Sequence, residues 1–309
     1  MNISAKDVKA LRDQTGVGMM KCKKALTDAE GDFDKAIDLL REQGADVAEQ
    51  KAGRAAADGA VIAYTDEDKN VSVLLEVNSE TDFVAKNEKF IFFVTAVAKT
   101  VAEENPADVD ALMNINLSGT DRSVADSLQD LILSIGENMK IRRFVRVEGV
   151  ASSYIHMGGA VGVLVNFDTT AEIAATEEFK TMGKDVAMQV AAMNPLYLNP
   201  EAVPADVVEH EQGILLAQME EDPAMAKKPE QVRKQIVKGK MNKYYKEVCL
   251  LNQEFVKAEN HEDVAKYVAS VAKKLGGEIK VTGYTRYAKG EGIEKKEENF
   301  AEEIAKMVK

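Results

Sequence analysis

The chain has 309 residues, of which 45% are hydrophobic and 30% charged, and its 52 acidic and 40 basic side chains give a formal net charge of −12. This length predicts about two domains, and the mix of apolar and charged residues excludes a wholly disordered chain. The acidic surplus argues against a protein whose whole surface follows nucleic acid.

The cysteines and the N-terminus predict a reducing compartment. Cys22 and Cys249 fit neither a disulfide framework nor a CxxC metal site, so we interpret them as reduced, partly buried thiols. The N-terminal residues are polar and patterned as a helix, unlike a signal peptide, and no apolar run approaches the roughly 20 residues that span a bilayer. We therefore expect a cytoplasmic protein with no membrane contact.

Residues 1–56 are predicted to form a small module of three helices followed by a connector. Ser4 and Asp7 have the spacing of a capping box at the start of the first helix. Asp32 is a candidate cap for the third helix, which we expect Gly44 to end. Three short helices enclose only a small core, so the module is expected to bind a partner rather than to catalyse a reaction.

The rest of the chain contains an internal duplication. Segments 90–106 and 179–195 match at a constant offset of 89 residues, and each is patterned as an amphipathic helix. A strand pattern precedes each helix, at 72–75 and at 162–165. Each half also closes alike, with a helix end followed by a strand. We therefore predict an α+β fold with two copies of one subdomain, each an antiparallel sheet covered by helices.

The second copy is longer than the first because it contains an insertion. Two helical patterns there flank a break between Pro223 and Pro229, which indicates an antiparallel helical hairpin. Either this hairpin serves docking or dimerisation, or it folds back onto the core of the chain. The predicted boundaries are core subdomain N at 57–149, core subdomain C at 150–204 and 249–290, the inserted hairpin at 205–248, and a short C-terminal helical module at 291–309.

Recognisable catalytic and phosphate-binding motifs are missing from the sequence. The three histidines, His156, His210 and His261, lack the HExxH spacing of a metal site. Neither Gly183-Lys184 nor Gly239-Lys240 continues into the serine or threonine of a P-loop. We therefore predict no enzyme activity, no catalytic residue, no bound metal and no cofactor.

A basic cluster lies on the strand that closes the first half, at Lys140, Arg142, Arg143 and Arg146. Contact with RNA would explain the cluster, although no aromatic stacking platform accompanies it. Arginines on the solvent face of a half-buried sheet explain it as well. An RNA-binding or ribosome-associated structural protein is therefore the alternative to the function described below.

The tract Thr81-Asp82-Phe83-Val84 lies between a strand and the first repeated helix. The corresponding stretch of the second half, 168–173, has no Asp-Phe pair. An aromatic residue beside a carboxylate at a helix entry either forms a hydrophobic staple with a cap or is held for a partner.

At this tract the sequence resembles the elongation factor Ts family of bacterial-type translation systems. The resemblance covers essentially the whole chain, through several separate tracts in the same order. They are the stretches 12–26, 76–87, 135–143, 154–156 and 290–295. It implies an N-terminal three-helix module like ubiquitin-associated domains, two related subdomains, a helical hairpin inserted in the second, and a short C-terminal helical module.

The resemblance also implies a partner, elongation factor Tu, a GTPase that delivers aminoacyl-tRNA to the ribosome. Such a factor promotes GDP release and GTP reloading by disturbing the magnesium and phosphate-binding site of the GTPase. No direct contact with nucleic acid is expected, and a homodimer through the hairpin stays open. The residues that the resemblance assigns to partner binding are Arg12, Met19, Met20, Thr81, Asp82, Phe83, Val84, Ile135, Gly136 and His156.

Overall fold

A computed structural model describes residues 3–258 and 260–293 of the chain. Helices are mixed with two small three-stranded antiparallel sheets, which agrees with the predicted α+β class. The chain divides into two compact units. Unit 1 comprises the described parts of Met1–Arg146, Ile155–Gly162 and Tyr287–Lys309, and unit 2 comprises Val147–Tyr154 and Val163–Arg286.

Three helices open the chain in unit 1: α1 (Ala5–Thr15), α2 (Met19–Asp28) and α3 (Phe33–Lys51). The predicted capping box is confirmed, since Ser4 and Asp7 each accept the backbone N–H of the other at 3.2 Å. The helices enclose a shared core of buried apolar side chains. Its largest members are Leu11, Leu26 and Leu40.

The first copy of the core follows, also in unit 1. Its elements are β1 (Asp58–Asp66), β2 (Val71–Ser79), α4 (Glu88–Glu104), α5 (Val109–Met113), α6 (Val124–Ile135) and β3 (Met139–Glu148). The sheet has the order β1-β2-β3, with Val61 opposite Glu76 in the register of the first pair. Every residue of β2 is buried: α4 packs against this central strand, and Glu76 on it pairs with two arginines of β3.

The prediction that Gly44 ends the third helix is wrong, since α3 continues to Lys51. Gly44 is buried against α6, where a Cβ would lie 3.7 Å from the carbonyl oxygen of Gln129 and 3.8 Å from the side chain of Leu133. Close packing of two helices compensates for the weak helix propensity of glycine, which costs about 1 kcal/mol relative to alanine. The third helix therefore joins the N-terminal helices to the first copy of the core.

The second copy repeats this arrangement, mostly in unit 2. Its elements in chain order are β4 (Ala151–His156), β5 (Val161–Asp168), α7 (Ala171–Ala174), α8 (Glu177–Met193), α9 (Ala205–Glu221), α10 (Pro223–Ala226), α11 (Glu230–Val248), α12 (Val264–Leu275) and β6 (Lys280–Ala288). Its sheet has the order β4-β5-β6, the same topology as the first sheet.

The duplicated helices predicted from the sequence are present in both copies. Helices α4 and α8 each have 17 residues, and the residues that cap their C-termini, Asn105 and Asn194, are left-handed with φ of 49° and 46°. Helices α6 and α12 each have 12 residues and end at the left-handed glycines Gly136 and Gly276. The matching C-terminal caps at these offsets show that both copies end their helices with the same local signals.

The insertion forms the predicted pair of helices. Helices α9 and α11 pack against each other around Met219, Val237 and Met241, which are buried, and α10 occupies part of the predicted break. The hairpin therefore has an apolar seam of its own. Its contact with a second copy stays a prediction.

The C-terminal module predicted at 291–309 lies outside the described residues from 294 onward. Among the helices that the structure describes, none combines the length and the apolarity needed to cross a membrane.

Candidate functional site

Most of the predicted partner-binding residues lie in three segments of unit 1. These are the α1–α2 turn and its flanks (residues 12–20), the loop between β2 and α4 (residues 80–87), and the C-terminal end of α6 (residues 134–138). We call them the α1–α2 turn, the β2–α4 loop and the α6 end. Hydrogen bonds join the three segments.

The β2–α4 loop buries one apolar side chain and exposes its neighbour. Val84 is 3% exposed and belongs to the core of the first copy, whereas Phe83 is 77% exposed. The side chain of Asn87 caps α4, so the helix entry is satisfied without the aromatic ring. The staple alternative is therefore wrong, because a staple would pack Phe83 against the helix. Asp82 is exposed as well, with a carboxylate oxygen 3.8 Å from Nζ of Lys86.

Two glutamates tie the β2–α4 loop to the α6 end. Thr81 donates its backbone N–H to Oε2 of Glu137 at 3.0 Å and its hydroxyl to Oε1 at 2.8 Å. In the opposite direction, Glu80 accepts the backbone N–H of Asn138 at 2.5 Å and pairs with Arg54 at 3.5 Å. These bonds fix the backbone before the Asp-Phe pair, and the buried side chain of Val84 fixes the residue after it.

The α6 end carries Ile135 and Gly136 next to these bonds. Ile135 is partly buried and packs against the core of the first copy. Gly136 has φ of 88° and donates its backbone N–H to the carbonyl oxygen of Ile132 at 2.8 Å, which closes the helix. Its own carbonyl oxygen accepts a hydrogen bond from Lys51. A residue with a side chain would be strained at this φ, so Gly136 has a structural role in addition to its predicted contact.

The α1–α2 turn is bonded to the α6 end and to the start of α4 through the carbonyl oxygen of Gly16. That oxygen accepts the hydroxyl of Ser134 at 2.8 Å and Nζ of Lys89 at 3.2 Å. Lys89 also donates to the hydroxyl of Ser134 at 2.8 Å. Since Lys89 lies in the first turn of α4 and Ser134 belongs to the α6 end, this junction fixes where the methionines that follow Gly16 are presented.

Those methionines are open to solvent: Met20 is 77% exposed and Met19 is 40% exposed. Arg12 is half-exposed and pairs with the neighbouring Asp13 at 2.6 Å. Flexible, polarisable side chains on a fixed frame are suited to fill an irregular groove on a partner.

His156 lies at the end of β4, before the turn to β5. Gly158 and Gly159 lie in this turn, with φ of 63° and 101°. The carbonyl oxygen of Gly159 accepts the backbone N–H of Val61 at 2.9 Å, and a Cβ at Gly159 would lie 2.9 Å from the side chain of Ala60. Contact of this turn with β1 therefore brings His156 into unit 1.

The basic cluster on β3 is explained by a buried carboxylate. Glu76 is fully buried, and its oxygens lie 3.0 Å from Nη1 of Arg142 and 2.6 Å from Nε of Arg143. It also accepts the backbone N–H of Gly290 at 2.8 Å. These internal pairs account for the two arginines better than RNA contact or a solvent-facing strand does. The remaining arginine, Arg146, donates to a backbone carbonyl in α4.

The pKa of Glu76 reflects two opposed effects. Burial alone would raise the pKa of the carboxyl group, but the hydrogen bonds from Gly290, Asn78, Arg142 and Arg143 outweigh it and lower the pKa below the ordinary 4.5. The group is therefore a structural anion that holds the segment after β6 in unit 1.

Sequence reasoning missed the residues that hold the site. Glu80, Glu137 and Lys89 are charged residues whose partners are remote in sequence, and no local pattern reveals such pairs. An exposed aromatic on α4 was also missed: Phe92 is 69% exposed, next to Ile91 at 48%. The helical period could have indicated this one, since it leaves position 92 off the buried stripe.

Both cysteines are free thiols, as predicted, and both are buried rather than partly buried. Burial raises the pKa of the Cys249 thiol to about 11, so the group stays protonated at neutral pH. In the described residues, His, Cys, Asp and Glu side chains form no group of three or more that could hold a metal ion.

Comparison with known proteins gives one consistent result. A family model described as "Elongation factor TS" matches residues 80–291, more than half of the chain. A protein named elongation factor Ts from Clostridium botulinum (strain Eklund 17B / Type B) is 46% identical over 309 residues, which covers 99% of each chain. The proteins of that name from Magnetococcus marinus and Symbiobacterium thermophilum are 46% and 45% identical, over 312 and 310 residues. Those alignments cover 100% and 99% of this chain, and 99% and 98% of the respective relatives.

Proposed function

Since this chain belongs to the elongation factor Ts family and is a translation elongation factor, we propose that it binds elongation factor Tu·GDP and promotes GDP release and GTP reloading. In this proposal the chain is not an enzyme and uses no cofactor. It acts in the cytoplasm, without direct contact with nucleic acid.

The observation that carries the proposal is the exposure of Phe83 on a loop whose backbone is held on both sides. Phe83 is 77% exposed, and leaving its apolar surface in water is unfavourable in free energy. Here the ring contributes nothing to the helix cap or the core. An exposed aromatic with a fixed backbone loses little entropy on entering a groove of a partner. We therefore propose that Asp82 and Phe83 are the wedge that disturbs the magnesium site of the GTPase.

The other predicted residues have different parts in the proposal. Arg12, Met19 and Met20 would contact the nucleotide domain, and His156 would approach its phosphate-binding side. Ile135 and Gly136 would lie beside the wedge. Thr81 and Val84 are kept in the interface as supports rather than as exposed contacts, because Val84 is buried and Thr81 is bonded to Glu137.

The domain organisation predicted above is also part of the proposal. It includes the likeness of the first module to ubiquitin-associated domains and the five boundaries. A homodimer through the hairpin is a separate proposal, to be tested by the mass of the wild-type chain in solution against that of a chain lacking 205–248.

The mechanism follows from reciprocal coupling. GDP is held by backbone amides of a phosphate loop and by a magnesium ion that offsets phosphate charge. The wedge favours a conformation of the GTPase that has low affinity for nucleotide. When nucleotide binds again, it must in turn lower the affinity of the GTPase for this chain. The factor therefore speeds exchange in both directions, and nucleotide concentrations decide the final ratio of GDP to GTP.

The test is the rate at which a fluorescent GDP analogue leaves purified elongation factor Tu, with and without this chain, at saturating and at chelated magnesium. We expect the chain to accelerate release strongly when magnesium is present, and by a smaller factor when magnesium is chelated. Unchanged release in the presence of the chain would contradict the proposed function. An equal factor in both conditions would contradict the magnesium part alone.

A further inference from the structure

We propose that Glu137 is a positioning residue that sets the exposed Asp82-Phe83 pair by holding Thr81, an inference that rests on the function proposed above. Its carboxylate accepts both the backbone N–H and the hydroxyl of Thr81, at 3.0 and 2.8 Å. No side chain of the pair itself is involved. Glu137 therefore acts on the wedge through the backbone that precedes it.

The two hydrogen bonds between Glu137 and Thr81 form a strong contact. Each oxygen of the carboxylate has its own donor, both donors belong to one residue, and the contact is partly buried. Hydrogen bonds to an ionised acceptor are roughly twice as strong as neutral ones. A second constraint lies on the same residue, because the carbonyl oxygen of Thr81 accepts the hydroxyl of Ser79 at 2.8 Å. Three polar groups of Thr81 are thus fixed immediately before Asp82.

The second copy of the core serves as an internal comparison. At the offsets of the duplicated helices, Thr81 corresponds to Thr170 and Glu137 to Gly277. Thr170 instead caps the short helix α7, accepting the backbone N–H of Ile173 at 3.4 Å. A side chain at Gly277 would require the buried Ile173 to move, since a Cβ there would lie 2.5 Å from Cδ1 of Ile173.

The carboxylate and the exposed aromatic therefore occur together in the same copy. The loop of the second copy folds without a counterpart of Glu137, so such a clasp is not a general requirement of this fold. In the first copy it reduces the conformations open to the loop before the partner arrives. Ordering a loop in advance lowers the entropic cost of binding and of reaching a geometry in which the wedge acts.

The test is a double-mutant cycle on the rate of GDP release from elongation factor Tu at saturating concentrations of the full-length chain. The single variants are Glu137→Gln and Phe83→Ala, and the double variant combines them. We expect Glu137→Gln to lower the saturating rate about fivefold, the size expected for the net loss of one ordinary hydrogen bond, since glutamine keeps one of the two acceptor oxygens. If Glu137 acts through the wedge, the same change in the Phe83→Ala background should alter the rate by less than about twofold.

A conservative pair separates positioning from general stability. Thr81→Ser keeps the hydroxyl donor and should lower the rate less than the isosteric Thr81→Val, for which we expect a loss of about threefold. Glu103→Gln is the matched control, a partly buried glutamate on α4 that pairs with Lys99 at 3.7 Å. Additive effects of Glu137→Gln and Phe83→Ala, or equal rates for Thr81→Ser and Thr81→Val, would overturn the inference.

A readout that does not involve the GTPase distinguishes the two proposals. Amide hydrogen exchange of the free chain should be faster at Thr81 to Val84 in Glu137→Gln and unchanged in Glu103→Gln. If wild type fails to accelerate GDP release, the proposed function is wrong. If amide hydrogen exchange at Thr81 to Val84 is the same in Glu137→Gln as in wild type, the positioning role of Glu137 is wrong, whatever the rate of GDP release.

Discussion

The loop after the central strand buries an apolar side chain in both copies of the core subdomain, but the side chain exposed before it is chemically different. After the central strand, both bury one apolar side chain at the same offset, Val84 in the first copy and Ile173 in the second. The residue before it is Phe83 in one and Glu172 in the other, and both are exposed. A fold that accepts glutamate at this position does not need an aromatic ring there. The comparison thus separates what the scaffold requires from what is left for a partner.

A second difference lies in the central strands. Glu76 in β2 corresponds to Asn166 in β5, so the first copy holds a buried anion where the second holds an amide. The anion binds two arginines and the backbone of Gly290. In the same segment, Nζ of Lys289 pairs with Asp58 at 2.6 Å. The first copy is therefore the one that anchors the end of the described chain.

The largest effect is expected from Glu76→Gln. This change leaves two half-buried arginines without their anion, and breaking a buried ion pair costs about 3–5 kcal/mol in the free energy of unfolding. Asn166→Ala, at the matching position of the second copy, should cost about 1 kcal/mol. Denaturant unfolding of both variants checks this difference. Equal losses would mean that the buried charge adds nothing to the first copy.

The pH dependence gives the control for that prediction. The pKa of Glu76 is lowered in the folded chain, so its contribution to stability is complete above the unfolded pKa and is lost as pH falls through the folded pKa. The stability gap between wild type and Glu76→Gln should therefore narrow below pH 4.5. A gap that is constant with pH would assign the loss to packing.

A smaller effect is expected from Met20→Ala. The side chain is 77% exposed, so the melting midpoint should stay within about 2 °C of wild type. GDP release should slow about tenfold, as for removal of an apolar anchor from an interface. Met193→Ala is the control, since Met193 is a 48% exposed methionine at the end of α8 in unit 2, away from the predicted partner-binding residues. Equal release rates for the two variants would remove Met20 from the interface.

The smallest effect is expected from Lys89→Met, which keeps the aliphatic stem but cuts the bonds to Gly16 and Ser134. These bonds are exposed, and exposed pairs contribute about 0.2–1 kcal/mol. We expect GDP release to slow by about twofold, with the loss abolished when residues 1–56 are also removed. A loss that persists without the N-terminal helices would place the effect of Lys89 in α4 itself.

The features that could be predicted from the sequence are local ones, such as helix caps and helix ends. The Ser4–Asp7 capping box and the helix ends at Gly136 and Gly276 follow from side chain and backbone preferences within one turn, and all were predictable. The duplication was readable for the same reason, because both copies repeat these signals at fixed offsets.

Remote pairing could not be predicted. Gly44 looked like a helix stop because its partner surface on α6 is about 85 residues away in the chain, a separation that no propensity includes. Glu137 and Glu76 have the same difficulty, since their donors come from other elements. The sequence alone could not decide whether Phe83 is exposed or packs against α4. Only the structure shows that Asn87 caps this helix and that the Phe83 ring does not take part in a staple.

The central claim is that the fold does not need Phe83 and that the partner does. The direct test exchanges the two loop residues, Phe83→Glu and Glu172→Phe, and measures GDP release from elongation factor Tu and the melting midpoint of each variant. We predict that Phe83→Glu loses most of the acceleration, about 100-fold for a central aromatic anchor, while its midpoint stays within about 2 °C of wild type. Glu172→Phe should change neither quantity by more than a small factor. Wild-type release by Phe83→Glu, or a midpoint lowered by more than about 5 °C, would contradict the claim.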